Sequence, residues 1–408
     1  MTQTTQNVPK LLPLTQAIMQ MHADCAVIKE YEQVPIIAAY DRVLAEPIIS
    51  QVNVPPADNS AMDGFAFNVD TYASAGSQFK IVGSALAGRP FMDTIKAGEC
   101  VRITTGAILP KITNTVMMQE NITLQDKTIT LNQDVSAGNS IRLAGEDISI
   151  RQTVLQQGEH LNPAKMALLA SIGIASVSVV RKIKVAIIVT GDELIEPGNH
   201  LNSGQIYESN RYALHGLLCR QTAEIQHFGI VEDSPQKIRE ILLQASQSAD
   251  LILTCGGVSV GDADYVKQVL SEIGQINFWK VAIKPGKPFA FGKIGNALFC
   301  GLPGNPVSSY VTFEKLVIPL LEKMQSRLPK PAFELLARCA VDIFKRPGRQ
   351  DFQRGIAYQD EQGQLWVKPN GKQGSGVMTS IAGANCYILL EQQQGNIPTG
   401  SHVKIQLF

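Results

Sequence analysis

Lys184-Val-Ala-Ile-Ile-Val-Thr190 is a continuous run rich in β-branched residues that stops at Gly191, and its reading decides the fold. Two later runs take the same form: Asp250-Leu-Ile-Leu-Thr-Cys255, which stops at Gly256-Gly257, and Ala297-Leu-Phe-Cys300, which stops at Gly301. A strand that is apolar on both faces needs cover on both faces. Helical patterns over Pro235 to Ser246 and Tyr265 to Ile273 supply it. The alternation predicts a three-layer α/β domain around a mostly parallel sheet.

Away from this core the pattern changes. Leu14, Ile18 and Met21 stand at helical spacing after Pro13 and predict an amphipathic opening helix. From Asn53 to about Asp147, short apolar runs such as Phe79-Lys-Ile-Val and Thr115-Val-Met-Met are broken by Gly, Asn and Pro, which predicts a β-rich domain. Met166 to Val180 reads as a short helix turning into a strand, being too short and too interrupted by serines for a bilayer span of about 20 residues. After Pro329-Lys-Pro331 helices are expected to stop, and runs such as Gln364-Leu-Trp-Val-Lys and Cys386-Tyr-Ile-Leu-Leu predict a small terminal β domain.

Bulk properties narrow the function. The 408 residues carry 36 basic and 36 acidic side chains, so the chain has no basic excess for nucleic acid or a membrane surface. Seven scattered cysteines without a CxxC pair fit a reducing compartment, and the polar Met1 to Pro9 lacks the build of a signal peptide. A soluble, cytoplasmic protein is expected. The six histidines fall in no metal-like spacing and read as ordinary residues.

In an open α/β sheet, ligands bind beyond the carboxyl ends of the strands. Each buried run ends there in a loop dense with glycine and polar groups: Thr190-Gly191-Asp192-Glu193, Gly256 to Tyr265, and Gly301-Leu-Pro303-Gly304-Asn305-Pro306-Val-Ser308. Any one would be an ordinary strand-to-helix turn, but three on one sheet edge point to a phosphate-bearing ligand. Asp192, Glu193, Asp262 and Asp264 lie on two of these loops. Like charges about 4 Å apart repel by about 4 kcal/mol at an effective dielectric near 20, which a hard oxygen-ligand cation such as Mg²⁺ relieves. Glu193 and Asp264 are the expected metal ligands, while Asp262 also suits a helix cap. Trp279-Lys280-Val-Ala-Ile-Lys284-Pro285-Gly286-Lys287 adds three lysines, with Lys284 and Lys287 bracketing a Pro-Gly turn as the wall of an anion pocket. The chain has no GxxxxGK[ST] or HExxH motif.

Together these segments resemble one family, the bacterial MoeA proteins and the E domains of gephyrin and its plant counterpart. The resemblance is carried also by Asn59-Ser-Ala-Met-Asp63-Gly64, Arg102-Ile-Thr-Thr105-Gly106-Ala107, Arg142-Leu-Ala-Gly145-Glu146-Asp147, Asp351-Phe-Gln-Arg354-Gly355 and Gly374-Ser375. It runs from about residue 13 to the end. Ala57, Phe65, Ile108 and Thr254-Cys255 depart from the family's usual wording without removing an acid, lysine or glycine of the site.

The resemblance implies a multidomain α/β plus β protein. Its parts are an N-terminal helix over 1–26 that packs with the linker or α/β region, an extended linker domain from 27–52 and 147–180, and an inserted β-rich domain over 53–146. An adenylyltransferase-like molybdopterin-binding α/β domain follows over 181–328, then a small β-barrel-like domain over 329–408. It further implies insertion of molybdate into adenylyl-molybdopterin with release of AMP, Mg²⁺ as cofactor, and a homodimer with shared active sites. The adenylyltransferase that makes this substrate and proteins that accept the finished cofactor would be partners. On this reading Thr190, Gly191, Asp192, Gly256, Gly257, Ser259, Gly261 and the turn with Pro303, Gly304, Asn305, Pro306 and Ser308 bind the nucleotide and pterin phosphate. Glu193 and Asp264 hold the metal; Lys280, Lys284, Lys287, Arg354 and Ser375 serve the oxyanion side. Asp63, Thr105 and Asp147 complete the site from the other subunit. Adenylyltransferase activity, or a scaffold like gephyrin's clustering role, is the alternative.

Overall fold

A computed structural model of the chain describes residues 11–257, 265–329 and 333–408. It divides into two compact units, one of residues 33–40 and 44–178 and the other of the remaining chain. Helix α1 (Leu14–Asp24) belongs to the second unit, where Ala17 and Met21 join the main apolar core.

The first unit is built on a six-stranded sheet of β1 (Gly64–Phe67), β2 (Gln78–Ala85), β3 (Glu99–Ile103), β4 (Thr115–Met118), β5 (Ile122–Gln125) and β6 (Thr128–Leu131), in the order β4-β1-β3-β2-β6-β5. One side packs Phe65, Phe67, Phe79 and Met117, the other Ala66, Val101, Ile103 and Val116. Residues alternate between the two cores along β1, as a period of two requires. Helix α2 (Pro163–Ser171) is capped by Asn162, whose side chain accepts from Lys165 N, with Pro163 at its first turn. Both segments expected to form a linker domain fall largely within this unit.

The second unit contains the three-layer domain. Its strands are β7 (Ile183–Thr190), β8 (Ala223–Val231), β9 (Leu251–Cys255), β10 (Gln275–Lys280), β11 (Pro288–Ile294) and β12 (Ala297–Leu302), ordered β8-β7-β9-β12-β11-β10. β8, β7, β9 and β12 run parallel, and the edge pair β11 and β10 is antiparallel. Val185, Ile187 and Val189 face one core with α3 (Asn210–Cys219), α6 (Pro306–Thr312) and α7 (Ile318–Met324). Ala186 and Ile188 face another with α4 (Pro235–Ser248) and α5 (Tyr265–Ile273). The double-sided apolar runs exist because each strand is roofed twice.

The chain then forms β13 (Leu335–Cys339), β14 (Gln350–Gln359), β15 (Leu365–Pro369), β16 (Cys386–Leu390) and β17 (His402–Leu407). Their order β14-β15-β13-β17-β16 closes through β14–β16 pairing into a five-stranded barrel. Helices do not stop entirely at Pro331: a single turn, α8 (Thr379–Ala382), interrupts the strands. Four residues are too few to show a helical period, so this turn has no sequence signature. No helix among the described residues is long and apolar enough to cross a membrane.

Candidate active site

The three loops at the carboxyl ends of β7, β9 and β12 touch. Gly256 N donates to Leu302 O at 3.2 Å, and a Cβ on Gly256 would lie 3.2 Å from Thr190 O. Gly304 faces Gly256, where its Cβ would sit 3.7 Å from the Gly256 Cα. Gly257 has φ +65°, and any Cβ there would overlap the Val266 side chain at the start of α5, so glycine is required on both counts. Pro306 opens α6 directly after Pro303, Gly304 and Asn305, and Ser308 is buried inside it. A barrel loop joins the same edge: Val307 N donates to Ser375 O at 3.0 Å, and Gly376 faces the Asn305 side chain. Ser259, Gly261, Asp262 and Asp264 lie outside the described residues.

The acids of the first loop meet a carboxylate that sequence reading did not single out. Asp233, just beyond the end of β8, donates its backbone N–H to Asp192 Oδ1 at 3.0 Å. Burial raises the Asp233 pKa above its ordinary value, and the charges of Asp192 and Glu193 raise it further. Among the described residues no three His, Cys, Asp or Glu side chains converge as a complete metal cage. The donor chemistry nevertheless fits Mg²⁺, which is commonly held through one or two carboxylates together with substrate phosphates.

A raised carboxyl pKa means that the folded state holds the proton more tightly than the unfolded state. Stability from this group is therefore full at low pH and is lost as pH rises from the unfolded value, 3.8, through the folded one. Asp233→Asn should raise the unfolding temperature at neutral pH, and its advantage should vanish in acid below that window. A constant difference across pH would show that Asp233 carries no such burden.

Two further residues flank the loops. Asn210, the first residue of α3, donates from Nδ2 to Gly304 O at 2.8 Å, and its buried Oδ1 has no hydrogen-bond partner among the described residues. Glu208 is buried and accepts from Arg211 N through Oε1 at 2.8 Å, while Oε2 lies 3.5 Å from Arg211 Nε and has no hydrogen-bond partner among the described residues. Burial raises its pKa, against the lowering by Arg211.

The lysine segment reaches the barrel. Ile283-Lys284 pairs in parallel with Gln350-Asp351, and Lys284 Nζ lies 2.9 Å from Asp351 Oδ2. Gln353 Nε2 donates to the same oxygen at 3.2 Å. Gly286, at φ +106°, presses against Thr312, and Lys287 is exposed. Lys280 is half-buried at the end of β10, opposite Pro288. The Arg354 side chain sits in the interior, with Nε donating to Ser380 Oγ at 3.0 Å and Nη2 to Gly374 O at 3.2 Å. Burial lowers its pKa, and Asp351 opposes that. Arg354 thus braces the loop that carries Ser375, whereas sequence reading gave it a direct place in the pocket.

Asp63, Thr105 and Asp147 belong to the other unit. Asp63 Oδ1 accepts from Thr105 N at 2.7 Å and from Thr105 Oγ1 at 2.8 Å. These bonds, the backbone one foremost, hold the Asp63 carboxyl below the ordinary range, so it is ionised at neutral pH. Asp147 is placed by its backbone N–H on Val54 O at 3.1 Å.

Comparison with known proteins agrees with this layout. The chain matches the family models described as MoeA N-terminal region (domain I and II) over residues 12–173, "Probable molybdopterin binding domain" over 186–323, and MoeA C-terminal region (domain IV) over 336–408. It is 44% identical to a molybdopterin molybdenumtransferase of Haemophilus influenzae, over 98% of this chain and 99% of that protein. It is 31% identical to gephyrin of Dictyostelium discoideum over 97% of this chain and 62% of that protein. Among solved structures, the molybdopterin biosynthesis moeA protein of Pyrococcus horikoshii OT3 superposes with a TM-score of 0.85 at 30% identity, covering 98% of this chain and all of that one.

Proposed function

The chain belongs to the molybdopterin molybdenumtransferase (MoeA) family, and on that footing we propose that it inserts molybdate into adenylyl-molybdopterin, releasing AMP and forming the molybdenum cofactor. The observation that carries this reading is the meeting of three strand-end loops with a barrel loop on one sheet edge. Backbone N–H groups of Gly304 and Asn305, beside the Gly256 turn, offer donors to phosphate oxygens. Asn210 holds Gly304 in place, and its Oδ1, unpartnered among the described residues, would accept a bond from the ligand.

Asp192, Glu193 and Asp233 set a negative field beside the phosphates, and Glu193, with Asp264, is the proposed Mg²⁺ ligand. Bound there, Mg²⁺ would neutralise charge on the departing AMP. Lys284, kept in register by Asp351, directs its ammonium group to molybdate, with Lys280 and Lys287 as neighbouring cations. Ser375 reaches the same oxyanion on a loop braced by Arg354. Purified protein given adenylyl-molybdopterin, molybdate and Mg²⁺ should release AMP in step with molybdenum appearing on the pterin. Adenylylation of free molybdopterin from ATP, without AMP release, would favour the adenylyltransferase reading instead.

The protein is further proposed to be a cytoplasmic homodimer in which Asp63, Thr105 and Asp147 of one subunit serve the loops of the other. Cofactor-accepting proteins and the adenylyltransferase are its proposed partners. Asp63→Asn and Glu193→Gln subunits, each inactive alone, should regain activity when unfolded together and reassembled. In a mixed dimer with shared sites, one site collects both lesions and the other collects neither. Verified mixed dimers without activity would refute the sharing.

A further inference from the structure

Cys219 differs from every other thiol of the chain in its exposure. Burial pushes Cys25 and Cys386 up to about 11 and Cys100 and Cys255 up to about 12, and it raises Cys300 and Cys339 as well. Cys219 alone is exposed, on the last turn of α3. One helical turn earlier on the same face is His215, whose Nε2 lies 3.6 Å from Cys219 Sγ. The other ring nitrogen of His215, Nδ1, is 3.1 Å from Nε2 of His227 on the neighbouring strand β8.

The three side chains form a line of thiol, base and orienting group, the order that covalent catalysis uses to activate a nucleophile. Its direction follows from His227. Partial desolvation on β8 first, then His215 and Arg211, lower the His227 pKa although the residue remains largely exposed, so its ring is neutral at pH 7. A neutral His227 accepts through Nε2 when Nδ1–H of His215 donates to it. That tautomer turns the lone pair of His215 Nε2 toward the Cys219 thiol.

We propose that Cys219 is a thiol-modification site that reacts with low-molecular-weight disulfides of the glutathione disulfide class. His215 Nε2 takes the thiol proton as Cys219 Sγ attacks one sulfur of the disulfide. A bond forms between the two sulfurs, the original sulfur–sulfur bond breaks, and the leaving thiolate takes the proton back from His215. Cys219 and one glutathione end as a mixed disulfide, and the other glutathione leaves as the reduced thiol. A metal ion held by all three residues is disfavoured, because Cys219 and His227 contact opposite nitrogens of the one His215 ring.

The test is to expose the full chain to glutathione disulfide at neutral pH, stop the reaction by acidification, and map the modified peptides by mass. Glutathione should appear on Cys219 before any other cysteine. His215→Gln should slow that reaction about tenfold, less than a buried general base contributes because this site is open to water. His227→Ala should slow it too, while His227→Gln, whose amide oxygen can still accept from His215 Nδ1–H, should restore much of the rate. All three residues are exposed, so thermal unfolding should be unchanged in these variants. Undiminished modification in His215→Gln would overturn the proposal. So would modification of Cys25 as fast as Cys219 in the unaltered chain, a readout that needs no variant to fold.

Discussion

Lys284→Ala is expected to raise the molybdate concentration for half-maximal insertion about ten- to a hundredfold, the loss of a charge-assisted contact worth roughly 1.5–3 kcal/mol. A second effect should accompany it. Asp351 is only 2% exposed, and Lys284 lies 2.9 Å from its Oδ2. Removing the lysine leaves that carboxylate with Gln353 as its remaining side-chain donor among the described residues. Breaking a fully buried pair costs about 3–5 kcal/mol. Here the lysine side chain is 38% exposed, so the smaller figure of about 2 kcal/mol is expected after screening by solvent. The double variant Lys284→Ala with Asp351→Asn separates the effects. It should recover most of the stability while the molybdate requirement stays high. If the half-saturation of the single variant is normal and only its stability falls, Lys284 is a strut between strand and barrel.

The α/β core was legible because each central strand is apolar on both faces, and Val185 to Val189 meet a helix layer on either side. The loops followed from the same reasoning, since strand ends in such a sheet lie on one edge. Asp233 was not legible for a matching reason. Its strand β8 is at the sheet edge and carries Glu224, Gln226 and His227 among apolar residues, so it shows no continuous run to mark its end. Asp351 could be quoted within a motif, but its bond to Lys284 comes from strand pairing across 67 positions. No local spacing records that pairing. Arg354 illustrates the converse limit: the family resemblance assigns it to the oxyanion side, while packing turns its guanidinium onto Ser380 and Gly374. The histidines were read by spacing to one another. The informative spacing was from His215 to Cys219 on one helix face, and β8 supplied the third member.

Glu193→Gln is expected to lower molybdenum insertion about a hundred- to a thousandfold while leaving the metal-free protein as stable or more so. The magnitude is that of losing one preorganised electrostatic contact to developing charge. The sign of the stability change comes from Asp233, whose pKa is raised in part by the charges of Asp192 and Glu193. Removing one of those charges lets the Asp233 carboxyl ionise more readily and relieves repulsion that the fold otherwise bears. A merely structural glutamate would behave in the opposite way, losing stability and activity together. Mg²⁺ supplies an independent readout. A ligand that binds only the folded state raises the unfolding temperature with its concentration, by an increment set by its affinity. That rise should be clear for the unaltered chain in the presence of AMP and much smaller for Glu193→Gln. An undiminished Mg²⁺-dependent rise in the variant would remove Glu193 from the metal site. If insertion were still lost, Glu193 would be acting on the substrate directly, and the metal would have to rest on the other acids of the loops.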